Sequence, residues 1–174
     1  MSKNIVFLFV CALMSAQALP LLAQDGPAND EKEYQRQYQE RIKKDRLFGI
    51  YIPKNLDDAL VQLDKLLPPK KQAEIMFMPE DSVCRVLHNS LGRRIIDNWG
   101  FYGGSRFSHY LKSAGVTFPD DMADLVMLAY HRKINAKPID LKGLIKFFED
   151  KREKERQEEL KKGKIIKEEK VKKG

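Results

Sequence analysis

Apolar residues recur every three or four positions through the middle of the chain, and that spacing predicts helices. Leu56, Leu60, Leu63 and Leu67 form one such stripe. Asn55 precedes it as an N-cap, Asp57 and Asp58 suit the positive end of the helix dipole, and Pro68-Pro69 stops it. Residues 70–77 read as a short helical piece, and Met78-Pro79-Glu80-Asp81 leads into the next helix. There, Val83, Leu87, Leu91 and Ile95 support one long helix up to about Trp99, with Gly92 marking a close helix–helix approach. Gly100, Gly103 and Gly104 punctuate a loop. Ser105 caps a helix running to Ala114, and Gly115 ends it. Pro119 fits the first position of a further helix that buries Met122, Leu125, Val126 and Ala129 and closes before Pro138. Asp140 caps a last helix with Leu141, Leu144, Ile145 and Phe148 on its core side. No segment reads as a strand of useful length. The expectation is an all-α fold: a single compact bundle of about five short helices with a charged C-terminal helical extension.

The ends of the chain depart from this pattern. Lys3 precedes an almost unbroken apolar run from Ile5 to Leu13, and small residues follow through Ala16-Gln17-Ala18 and Ala23. That is the form of a signal peptide over residues 1–23, too short to span a bilayer. An uncleaved anchor is the alternative. Residues 24–48 read as a polar linker with one short helix, opened by Asp30 and Glu33 and carrying a thin stripe of Tyr34, Tyr38 and Ile42. Residues 49–149 hold the helical domain. Residues 150–174 form a tail of alternating charge with almost no apolar support, and Gly163 is expected to end its helix.

Charge and cysteine content narrow the partners. The chain carries +7. Inside a cell that excess would hint at nucleic acid, but export points instead to another envelope protein or an anionic envelope component. Removal of the leader leaves Cys84 as the one cysteine, which excludes an internal disulfide framework. Its place on an apolar helix face favours a buried thiol over a reactive one.

The densest stretch runs from Asn98 to Asn135, with the one Trp, a Gly-Gly turn and two of the three His residues. Asp120-Asp121 could supply acid and base, but adjacent residues at a helix start diverge, so capping explains them better. His88, His109 and His131 lack the close spacing of a zinc site, although Asp120, Asp124 and His131 share one helix face. Ser105 with His109 lacks the nucleophile elbow, so Ser105 is assigned as a cap. Gly103-Gly104-Ser105-Arg106 could hold an anion at a helix start. The competing expectation is a tight turn, with Arg106 bridging to Asp120 or Asp121. Among Trp99, Phe101, Tyr102, Phe107 and Tyr110 most belong in a core. A loop aromatic left exposed near Arg93, Arg94, Arg106 and Arg132 would suit protein recognition.

The ordered string IPKNLDDA, LDKLLP, LGRRIIDNWGFYGGSRFSHYL, GVTFPDDM, AYHRKIN and PIDL, from Ile52 to about Lys146, resembles a family of small bacterial helical domains with no assigned biochemical function. Relatives tend to carry WGLW where this chain has WGFY, and a second Asn where it has Asp97-Asn98; aromatic and polar character is kept. The resemblance implies an all-α fold and no catalytic residue. The expected function is a non-catalytic protein- or anion-binding module, with Trp99, Phe101, Tyr102, Arg106 and Arg132 at the binding surface and Ser105, Asp120 and Asp121 structural. No cofactor, metal or nucleic acid is expected. The alternatives are a periplasmic hydrolase using His109, His131, Asp120 and Asp121, or a purely structural domain.

Overall fold

The computed structural model describes residues 28–172, with side chains through 162. The expected signal peptide lies outside the described residues. The chain runs α1 (Glu31–Arg41), a two-stranded hairpin of β1 (Arg46–Leu47) and β2 (Ile50–Tyr51), then α2 (Leu56–Leu66), α3 (Pro69–Met76), a 3₁₀ turn (Glu80–Ser82), α4 (Val83–Leu87), a π turn (His88–Gly92), α5 (Arg93–Asn98), α6 (Arg106–Ser113), α7 (Pro119–Ile134) and α8 (Leu141–Lys172). The fold is all-α apart from the hairpin.

Local chemistry sets most helix ends. Asp30 accepts a hydrogen bond from the Glu33 N–H, and Asn55 accepts one from the Asp58 N–H. Ser105 and Ser108 cap each other reciprocally at the start of α6. Pro119 occupies the first turn of α7, where its missing N–H costs nothing. Asp140 accepts from the Gly143 N–H and opens α8. The hairpin turn needs left-handed backbone at two successive residues, Phe48 (φ 50°) and Gly49 (φ 80°). It pairs Arg46 with Tyr51 and Leu47 with Ile50.

Helix α7 is the axis of the molecule. It touches α2, α3, α4, α5, α6, α8 and the π turn, and every residue from Asp121 to His131 is buried. The sequence pattern predicts one apolar face here; the structure buries the whole circumference. Three polar residues inside that span are therefore obliged to find partners. Asp121 meets Lys151 and Arg152 of α8, Asp124 meets His88, and His131 meets the Met78 carbonyl.

Two expectations of regular helix fail. The helix expected from Ser82 to Trp99 is broken by the five-residue π turn, which packs on α7 beside Gly92. A Cβ on Gly92 would lie 3.1 Å from Met127 Cε, so the expected close approach is present. Helix α8 does not stop at Gly163 but continues to Lys172. Among the described residues no helix is long and apolar enough to cross a membrane.

Candidate functional site

The loop between α5 and α6 is braced from below by aromatics. Trp99 and Phe107 meet edge to face at 5.4 Å, and Phe101 packs on Phe107 at 5.8 Å. Trp99 is 2% exposed and Phe101 1%. This corrects their expected place at a binding surface: an apolar ring is more stable in the core, and a buried ring cannot meet a partner. Tyr102 lies between the core and the glycines and is 59% exposed. Its hydroxyl accepts a hydrogen bond from Arg93 Nη1 at 3.2 Å. Arg94 is also exposed.

Arg106 does not bridge to Asp120 or Asp121. Its Nε and Nη2 donate to the Ile52 carbonyl at 2.7 and 2.5 Å. Its guanidinium lies 5.1 Å from the centre of the Tyr51 ring. The hairpin, which the periodicity did not predict, carries Tyr51 to that position. Tyr51 in turn donates to Asp58 Oδ2 at 2.8 Å. Burial raises the Asp58 carboxyl, but the Lys54 N–H, Tyr51 and Gln62 outweigh it and leave a net lowering. Arg106 thus ties the start of α6 to the hairpin and α2.

Arg132 is equally engaged. It donates to Glu80 Oε1 at 2.7 Å and to the Ile139 carbonyl at 2.9 Å, and Lys137 joins Glu80 at 3.1 Å. The Arg132 hydrogen bond comes first among the causes that hold the Glu80 carboxyl below its ordinary value. Ser105 caps α6 as expected. Asp121 is structural in a different sense from helix capping alone: its buried carboxylate pairs with Arg152, and with Lys151 at 3.2 Å, and so holds α8 to α7 about three turns along. The Arg152 guanidinium also covers the Phe118 ring at 4.2 Å.

The groups of the alternative hydrolase reading are dispersed. His109 Nδ1 bonds to the Tyr38 hydroxyl at 3.0 Å on one face, while His131 Nε2 bonds to the Met78 carbonyl at 2.9 Å at the far end of α7. Neither makes a contact with the Asp pair. The histidine that does meet carboxylates is His88, which the spacing left unassigned. Its Nδ1 is 2.9 Å from Asp124 Oδ1, and its Nε2 is 3.5 Å from Asp120 Oδ1. The sequence signal was the shared helix face of Asp120 and Asp124; their partner comes from the π turn. Cys84, one turn before His88, has its thiol against the Asp124 carbonyl at 3.8 Å. Burial, then the nearby Asp124 carboxylate, push that thiol up to about 12. Cys84 and Asp124 border an open groove of about 600 Å³ between α4, α7 and α8, with Phe147 at its mouth. Among the described residues no group of three or more His, Cys, Asp or Glu could hold a metal ion.

The space at Gly103-Gly104, weighed above as an anion cradle against a tight turn, is filled by the chain itself. Helix α1 lies on it, with Arg41 Nη1 donating to the Gly103 carbonyl at 2.9 Å. Gly104 has φ +87°, and a Cβ there would fall 2.3 Å from the Tyr38 ring. The tight turn is as anticipated; its tenant was not.

No curated protein and no solved structure matches the chain. The region matched by a known family begins at Ile52, just after the hairpin, and ends with α7, leaving the PIDL stretch outside it. Residues 52–134 match the model of a domain of unknown function, DUF6794.

Proposed function

We propose that the chain is an exported, non-catalytic interaction module that recognises an acidic protein surface of the cell envelope through Tyr102, Arg93 and Arg94. The observation that carries this reading is the placement of Tyr102. Its ring stands out beside the buried Phe101, and Arg93 donates to its hydroxyl. A rigid aromatic beside guanidinium groups loses little conformational freedom on binding, and such residues dominate interface energetics. The net charge of +7 favours an acidic partner. Export rests on the leader-like residues 1–23.

Arg106 and Arg132, first counted with this surface, act within the fold, so the tests fall on other residues. Wild-type protein and a Tyr102→Ala/Arg93→Ala variant, both expressed from the full chain, are used as bait in envelope extract. The wild type is expected to retain an acidic partner that the variant loses at unchanged melting temperature. Equal capture by both, or capture only of basic proteins, would overturn the reading. Cell fractionation tests export independently. The hydrolase alternative has no comparable support, because His109, His131 and the Asp pair keep separate partners.

A further inference from the structure

Helix α1 is short and almost wholly polar, yet its docking is specific. Tyr38 drops onto Gly104, where any side chain would collide with its ring. Its hydroxyl reaches His109 Nδ1 at 3.0 Å, and the two rings meet edge to face at 6.1 Å. The Lys112 ammonium lies 5.4 Å from the centre of the same ring. Three residues on, Arg41 caps the Gly103 carbonyl, and its other arm is held by Gln37. Two side chains one helical turn apart thus fit a two-point receptor made by a glycine turn and the face of α6.

The ownership of these parts is informative. Gly103, Gly104, His109 and Lys112 lie within residues 52–134, whereas α1 lies outside them. Helices of fewer than about 12–15 residues are marginal alone, so an 11-residue helix depends on its dock for order. The receptor belongs to the domain, and its occupant is an appendage that unfolds at small cost when released.

We infer that the Gly103-Gly104 turn and α6 form a docking seat for a short helix presenting Tyr and Arg three residues apart, and that α1 is its built-in occupant. Release of α1 exposes the seat, and the freed helix returns to it. This inference stands apart from the Tyr102 surface.

The test uses the full chain and a fluorescent peptide of residues 28–45, followed by anisotropy. In the wild type, tethered α1 competes at an effective concentration on the order of millimolar and masks the seat. The Tyr38→Ala/Arg41→Ala variant is expected to bind the peptide at least about tenfold more tightly than the wild type. Adding Gly104→Ala to that variant abolishes binding, as does Tyr38→Ala in the peptide. No binding to a double variant that retains its helical spectrum and melting transition overturns the proposal, as does binding indifferent to Gly104→Ala. Hydrogen exchange on the wild type decides if the double variant fails to fold. Opening of α1 amides as a unit before those of α7 supports a releasable occupant, and equal protection of the two helices overturns it.

Discussion

At the scale of single residues, the arginines carry more of the structure than of the surface. Arg106 supplies two charged donors to one carbonyl and stacks over Tyr51. Hydrogen bonds from charged groups contribute about 1.5–3 kcal/mol each, and the two here share an acceptor. Arg106→Ala is therefore expected to cost roughly 2–3 kcal/mol in urea unfolding, with Arg106→Lys recovering only part, because an ammonium cannot reproduce the fork. An unchanged midpoint would remove Arg106 from this role. Glu80 offers a test through pH. Arg132 and Lys137 hold its folded pKa below the ordinary value of 4.5. A depressed carboxylate pKa adds stability that is fully present above the unfolded value and is lost as pH falls through the folded one. Melting temperature should accordingly drop as pH falls below 4.5, and Glu80→Gln should flatten part of that drop. An identical pH profile in the variant would count against the Arg132–Glu80 clamp.

At the scale of elements, what the sequence discloses is what neighbours decide. The caps at Asp30, Asn55 and Ser105 and the first-turn Pro119 depend on residues within one turn, and each is where periodicity and cap chemistry place it. The hairpin, the π turn and the partner of Arg106 depend on residues far away. Phe48-Gly49 was a two-residue turn with too little flanking strand to declare itself. The π turn keeps His88 and Gly92 both on α7, a demand that no local pattern expresses. The same limit applied to the surface: loop position exposed Tyr102 and not Phe101, and nothing in WGFY distinguishes which ring turns inward. Asp121 shows how one tertiary pair can hold an element. Asp121→Ala removes the buried acceptor, but Lys151 and Arg152 are 37% and 32% exposed and can turn to water, so the cost is expected at about 1.5–3 kcal/mol. Hydrogen exchange should then show faster opening around Lys151 and Arg152 of α8 than in α2. Uniform destabilisation without that local loosening would argue against a hinge at this pair.

At the scale of the whole molecule, the helical domain and α8 obey different rules. Up to Phe148 the helix is held by apolar burial, and the next turn is held by the Asp121 ion pairs. From Glu153 through Lys162 every side chain is exposed, and the support is local, as in the Arg156–Glu153 pair at 2.8 Å. Such pairs stabilise a helix by only about 0.2–0.5 kcal/mol each and weaken with salt. Dyes placed at Glu153 and Lys172 should report an end-to-end distance of roughly 30 Å at low ionic strength, given a rise of 1.5 Å per residue. Shortening in high salt is expected; a coil-like distance at low salt would refute a continuous helix. Asp121 clamps this helix at Arg152, and the side chains from Glu153 through Lys162 beyond the clamp are wetted. The salinity of the surroundings therefore tunes how stiffly that stretch projects from the domain.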